Sequence, residues 1–272
     1  MIGTRMISDV AGLSRIFLKI RESPSLAAQI RVPLLLLTAA LLAACGGLIP
    51  GRAPAPTPDF SAVGDFARVD MGAAGEMNIT QGEPAAIHIE GDRRMIRLLD
   101  VYTEGDTLHV AFKEGASRRK TLQVLDLKYK VVTPDLEGVT LSGAANIKGE
   151  SISGDRLEII LTGGGNITLQ DLNINELHVS IPGAGVVKVS GRAGSQTVEL
   201  SGLGRYEGEE LQSATASVNV SGAGSAAVWV TETLDANISG VGSVNYYGNP
   251  EVTSQTSGLG SVKAWGPKES SE

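Results

Sequence analysis

Apolar residues recur at every second position along most of this chain, in short runs. Leu157, Ile159 and Leu161 fall at alternate positions, as do Ile167 and Leu169, Val218 and Val220, and Val228 and Val230. A period of two sends successive side chains to opposite faces, so each run predicts a short strand with one face buried and one wet. Between Phe60 and Val132 the alternation is punctuated by Glu90-Gly91-Asp92 and Glu104-Gly105-Asp106, turn signals that follow Ile87-His88-Ile89 and precede Leu108-His109-Val110. Leu122, Val124, Leu125, Leu127, Tyr129, Val131 and Val132 form a longer β-rich run. This N-terminal segment predicts antiparallel or edge strands.

From residue 141 the strands belong to a repeat. LSGAANI (141–147), LTGGGNI (161–167), IPGAGVV (181–187), LSGLGRY (200–206), VSGAGSA (220–226), ISGVGSV (238–244) and TSGLGSV (256–262) are variants of one unit. Their first glycines are Gly143, Gly163, Gly183, Gly202, Gly222, Gly240 and Gly258, spaced 20, 20, 19, 20, 18 and 18 residues apart. MGAAGEMNI (71–79) reads as a degenerate eighth copy. Each unit is a strand, a Gly-x-Gly corner and a second strand. One such coil cannot bury its apolar face alone, but stacked coils can, with strands pairing in parallel. The pattern predicts an all-β protein: a single-stranded parallel β-helix, right-handed, preceded by a β-rich N-terminal segment. Glycine at the corner answers a need for positive φ or close backbone approach. A phosphate-cradling glycine loop is a poor match, because such a loop follows one strand and opens a helix, whereas a β-like run follows every Gly-x-Gly here.

Composition agrees: aromatic residues make up 4% and there are 34 glycines. The single cysteine, Cys45, excludes an intramolecular disulfide framework and a cysteine zinc cluster. It directly follows PLLLLTAALLAA (33–44), an apolar run of signal-peptide length preceded by Arg5, Arg15, Lys19, Arg21 and Arg31. Leu42-Ala43-Ala44-Cys45 resembles a bacterial lipobox, which implies cleavage before Cys45 and acylation of its sulfur. The domain reading is thus a lipoprotein signal peptide over 1–44, a Pro/Gly-rich spacer over 45–59, a β-helix over 60–266 and a disordered tail over 267–272. The chain carries a formal charge of −7. Without the leader's five basic and two acidic residues it carries −10, a sign that argues against nucleic acid as partner.

The lipobox, the proline-rich spacer, the N-terminal β segment and the tandem [LIV]-S-G-x-G-x-[VI] units together resemble the auto-transporter adhesin family with a head GIN domain, over about residues 60–265. The resemblance implies a parallel β-helix at the bacterial surface or in the periplasm, and no catalytic residues to carry over. The sequence departs from the unit at Ala145, where the second glycine is missing, and at Pro182, where Ser or Thr is usual. Pro182 has no N–H and should sit where the ladder does not need one.

Chemistry-bearing residues are sparse. Counted from the first glycine of each unit, Glu176 and Asp235 share an offset but lie three coils apart, which suggests no glycosidase pair. Glu207, Glu209 and Glu210 read as a solvated turn. His88, His109 and His178 sit in alternating strands and read as outward strand residues, without metal-ligand spacing. Arg93, Arg94, Arg97, Arg118, Arg119 and Lys120 read as exposed hairpin ends, with a contact to anionic lipid head groups or acidic glycans as the alternative. Trp229, Tyr247 and Trp265 fall 18 residues apart, one per coil, five positions after the second glycine. They predict an outward aromatic column, either a self-stacking structural ladder or a surface on which sugar rings or another protein pack. The reading is a non-catalytic, lipid-anchored cell-envelope module that binds a glycan or an envelope protein, with no metal or cofactor. A β-helix carbohydrate-active enzyme and an envelope-stress accessory protein are the alternatives.

Overall fold

The computed structural model describes residues 63–115 and 126–268. The leader, Cys45, the spacer over 45–59, the first residues of the 60–266 domain, Leu122, Val124 and Leu125 of the β-rich run, and the Arg118-Arg119-Lys120 cluster lie outside these residues.

The repeat builds a parallel β-solenoid. After each Gly-x-Gly corner the chain forms one wall: β2 (Ala74–Gln81), β8 (Ala144–Glu150), the first halves of β10 (Gly164–Ile181), β11 (Ala184–Leu200), β12 (Leu203–Val220) and β13 (Ala223–Ile238), then β14 (Val241–Tyr247) and β16 (Leu259–Gly266). Neighbours in this wall pair in parallel, with equivalent positions of successive units opposite one another: Glu76, Asn146, Asn166, Val186, Arg205, Ser225, Ser243 and Ser261 form one outward column. The second wall comprises β1 (Arg68–Met71), β7 (Gly138–Leu141), β9 (Ser153–Leu161), the second halves of β10 to β13, and β15 (Glu251–Thr256). The eighth copy is real: Ala74 pairs with Ala144, so the solenoid begins at about residue 71 rather than after an independent cap.

The core lies between the walls. Met77, Ile147, Ile167, Val187, Tyr206, Ala226, Val244 and Val262 stack in one inward column. Tyr206 is fully buried, and the small Ala226 in the next coil leaves room for its ring. The ends differ. At the N-terminal end, β4 (Leu99–Glu104) and β5 (Thr107–Phe112) form an antiparallel hairpin, and β3 (Ala86–Glu90) runs antiparallel to β6 (Lys128–Thr133). The arginines 93 and 94 stand on a one-turn helix, α1 (Arg93–Ile96), rather than a hairpin end; it buries Met95 and Ile96. At the C-terminal end the inward positions below Leu234, Ala236 and Ile238 become Val252, Ser254 and Thr256, a polar finish suited to water.

The reason for glycine at the corners proves to be proximity. Gly222 is outside the positive-φ set, and among the sixteen corner positions of the eight copies only Gly75 and Gly165 belong to it, both at φ 133°. A Cβ on Gly163, Gly183, Gly202, Gly222, Gly240 or Gly258 would lie 2.0–2.3 Å from the carbonyl oxygen of the equivalent glycine one coil earlier. At five of the seven Gly-x-Gly corners two successive N–H groups donate to one carbonyl, as Thr162 and Gly163 do to Leu141. At Pro182 one donor is missing, and Gly183 alone supplies Leu161 at 2.8 Å, so the proline is accommodated.

The second corner of the coil carries no glycine signature. Ser151 and Asp171 turn it with φ of 55° and 54°, and Ser151 Oγ donates to Asp171 Oδ2 at 2.8 Å. Short polar residues tolerate this left-handed conformation through such local bonds.

Candidate functional site

The aromatic residues do converge at the C-terminal end of the first wall. Trp229 and Tyr247 are in register on β13 and β14. Trp265 is not the next rung: Tyr246 pairs with Ala264 and Tyr247 with Gly266, so Trp265 is the extra residue of a bulge. The bulge turns its ring edge-on to Tyr247, with centroids 5.4 Å apart and planes at 74°.

The expectation of a uniformly exposed column fails at Trp229, which is only 7% exposed, whereas Trp265 is 53% exposed and Tyr247 half-buried. Lys268, assigned by the sequence pattern to the terminal tail, folds back over it. Its Nζ lies 5.1 Å from the Trp229 ring centroid and 5.2 Å from that of Tyr247. The same ammonium donates to the Glu209 carbonyl at 2.6 Å and to Glu210 Oε1 at 2.7 Å. Cation–π attraction and two charge-assisted bonds therefore pin Lys268 onto Trp229.

Glu209 and Glu210, which hold Lys268 through a backbone carbonyl and a carboxylate, sit on a bulge rather than on a solvated turn. Gly208 pairs with Val228 and Gln212 with Trp229, leaving Glu209, Glu210 and Leu211 as surplus residues of the longer coil. Glu207 lies 3.6 Å from Arg205. Glu209 Oε2 is buried without a hydrogen-bond partner among the described residues.

Beneath this corner the core holds a polar chain. Tyr206 Oη donates to Gln196 Oε1 at 2.8 Å, Gln196 Nε2 to Ser213 Oγ at 2.7 Å, and Ser213 Oγ to the Trp229 carbonyl at 3.2 Å. Gln196 interrupts a column otherwise made of Leu157, Leu177, Ala216 and Leu234, so Tyr206 serves as its partner across the core. Burial, and then the charge of Glu209, push the Tyr206 phenol well above its ordinary value. It is a structural hydroxyl, fixed in the protonated form. No sequence signal marked this network, because a lone glutamine in an alternating run reads as an outward residue.

The remaining candidates do not assemble into a centre. Asp235 stacks under Ser217, Thr197 and His178, whereas Glu176 stacks with Arg156, Ser195, Thr215 and Thr233. The shared offset of the two acids is an artefact of unequal coil lengths. His88 and His178 lie on outward faces as expected. His109 also faces outward, stacked on Tyr102 at 5.0 Å with Nδ1 3.3 Å from Asp70 Oδ2. Among the described residues no three His, Cys, Asp or Glu side chains are grouped to hold a metal ion.

Residues 65–250 match the family described as "Putative auto-transporter adhesin, head GIN domain". No curated protein matches the chain. Among solved structures, a putative adhesin from Bacteroides fragilis is 27% identical with a TM-score of 0.70, over 74% of this chain and 93% of that one. A putative lipid binding protein from Parabacteroides distasonis (21% identity, TM-score 0.60) and a putative adhesin from the same species (20%, 0.58) share the fold over 74% of this chain and 93% of theirs.

Proposed function

Since the chain belongs to the auto-transporter adhesin family with a head GIN domain, we propose that it is a non-catalytic adhesion module of the cell envelope, held by a lipid on Cys45 and binding glycan through Tyr247 and Trp265. The half-exposed, edge-to-face pair of these two rings carries the reading. Aromatic rings offer sugars an apolar face for stacking, and the bulge at Trp265 presents its ring beyond the plane of the wall. Trp229 has a different job: it is the floor on which Lys268 rests. The continuous parallel ladder of the solenoid suits presentation of a surface more than movement around a substrate. The spacer, rich in proline and glycine, would hold that surface off the membrane.

Binding of the chain to a glycan array, compared with Tyr247→Ala and Trp265→Ala, tests the site. Loss of binding in both variants, with unchanged melting, supports it; undiminished binding in both sinks it. Cys45→Ser tests the anchor: release into the soluble fraction supports acylation, and continued membrane retention refutes it.

A further inference from the structure

The first wall ends on a strand whose outer edge is unpaired. β16 closes the sheet order at its C-terminal end, and β14 is its only ladder partner among the described residues. The Leu259 N–H donates to the Gly240 carbonyl, toward β14. Successive residues of a strand turn their N–H and C=O groups to opposite sides, so those of Gly260, Val262 and Ala264 point to the open side. Inward Val262 is half-buried and inward Ala264 exposed, whereas Val244, the partner of Val262 on β14, is fully buried. Outward Leu259 is 80% exposed, and Trp265 on the same face is exposed as well. Edge strands are commonly guarded by charge. The opposite end of the sheet order, β4, carries Asp100 and Glu104, but β16 carries Lys263 alone. The second wall stops one strand earlier, at β15, and its inward Ser254 and Thr256 are polar. The last coil is thus apolar where a further strand can reach it and polar where none can. Lys268 lies on the side of β16 away from the open edge, held by Glu209 and Glu210 of β12.

We infer that β16 pairs antiparallel with β16 of a second copy, across a two-fold axis at Val262, and so joins two solenoids end to end. The strand LGSVKAW (259–265) is centred on that residue, and it complements itself. The register sets Val262 against Val262, Gly260 against Ala264, Ser261 against Lys263, and Leu259 against Trp265. Gly260, Val262 and Ala264 then lie in hydrogen-bonded pairs, in which opposed residues exchange both N–H···O bonds, so every open-edge group of these three residues is satisfied. Inward Val262 and Ala264 become covered and extend the core column above Val244. The exposed Leu259 of each copy meets the exposed Trp265 of the other. An axis at Lys263 would oppose the two lysines directly, which is unfavourable, and an axis at Ser261 would set Ala264 against the corner residue Gly258. Because the second wall falls one strand short in each copy, Ser254 and Thr256 remain in water. The contact uses the same patch on both copies and therefore closes at a dimer. It does not depend on the glycan-binding reading; it would place the Tyr247–Trp265 pairs of two copies on one continuous wall.

The test is sedimentation velocity of the full chain in detergent across a range of concentrations, beside Ser261→Lys, Ser261→Glu and Ser261→Lys/Lys263→Glu. Residue 261 faces outward, so the variants should melt with the wild type. The wild type should dimerise with rising concentration. Ser261→Lys sets lysines directly opposite one another twice per dimer and should weaken it at least ~10-fold. Ser261→Glu should tighten it, and Ser261→Lys/Lys263→Glu should restore it, since opposite charges then face each other. Disulfide mapping in a Cys45→Ser background reads the register. Chains carrying Ser261→Cys and chains carrying Lys263→Cys should cross-link in mixture, because directly opposed residues of a non-hydrogen-bonded pair have Cα atoms about 4.5 Å apart. A chain that stays monomeric at every concentration overturns the inference. So does a dimer indifferent to Ser261→Lys, which marks another interface or shared micelles, and so does a loss in Ser261→Lys that Lys263→Glu fails to reverse.

Discussion

Gly222 lies so close under Gly202 that a β-carbon on Gly222 would sit 2.3 Å from the Gly202 carbonyl oxygen. The contact is with backbone, which cannot swing aside as a side chain does. Any larger residue must force the adjacent coils away from each other at this corner. Gly222→Ala should therefore destabilise by several kcal/mol although its φ is not of the left-handed kind, and Gly222→Val by more. Gly154 is the control, since nothing lies within 4 Å of its would-be β-carbon and its φ is not positive. Gly154→Ala should be neutral or stabilise by up to about 1 kcal/mol through the unfolded chain. Urea unfolding of the variants separates the two cases. Equal, small effects at Gly222 and Gly154 would show that the corners are not in contact.

The two tryptophans should behave oppositely. Trp229 is covered, and its truncation to alanine leaves a cavity and strands Lys268, at a cost of about 3–5 kcal/mol. Trp265→Ala removes an exposed ring and should cost under about 1 kcal/mol. Fluorescence provides an independent check: Trp265→Phe should leave a blue-shifted emission shielded from acrylamide. Lys268→Met should raise quenching of the Trp229 signal. Emission of a fully solvated indole from the Trp265→Phe variant would contradict the docking of Lys268 over Trp229.

Much of this fold is legible in the chain because one unit is written eight times. Register follows directly, since equivalent residues of successive units must pair, as Asn146 and Asn166 do. What escapes is whatever breaks the period. Coil lengths between 18 and 20 residues are absorbed by bulges, and those bulges decide that Trp265 projects and that Glu209 turns inward. The second corner escapes as well, because Ser151 and Asp171 reach the left-handed region with ordinary polar side chains. Gln196 escapes because its burial depends on Tyr206, ten residues away and across the core. Alternation identifies which face a residue takes, and only the far wall reveals whether a polar group finds a partner there.

The Gln196 network should be brittle. Tyr206→Phe keeps the ring volume but leaves Gln196 Oε1 without its donor, so it should cost about 1–3 kcal/mol. Gln196→Ala removes the acceptor of Tyr206 and the donor to Ser213 while opening a cavity, and should cost more. Gln196→Leu restores the apolar column but still orphans the Tyr206 hydroxyl. The double variant Gln196→Leu/Tyr206→Phe removes both partners and should recover stability relative to Gln196→Leu alone. Additive losses in the double variant, measured by chemical denaturation, would mean that the two side chains are not coupled.

The Glu76–Lys148 pair on the first wall makes a pH-dependent contribution whose sign is fixed. The hydrogen bond from Lys148, and then its charge, hold the Glu76 carboxyl below its ordinary value of 4.5. A lowered folded-state pKa means that the pair's contribution is complete above the unfolded value and disappears as pH falls through the folded one. At pH 7 Lys148→Met should be less stable than the wild type by no more than about 0.5 kcal/mol, because the pair is exposed and screened. As pH falls below 4.5 the two proteins should converge, since protonated Glu76 no longer distinguishes them. A carboxyl-resolved NMR titration gives the direct reading: the Glu76 midpoint should rise toward its ordinary value in the variant, and an unmoved midpoint would show that Lys148 does not hold Glu76 in solution.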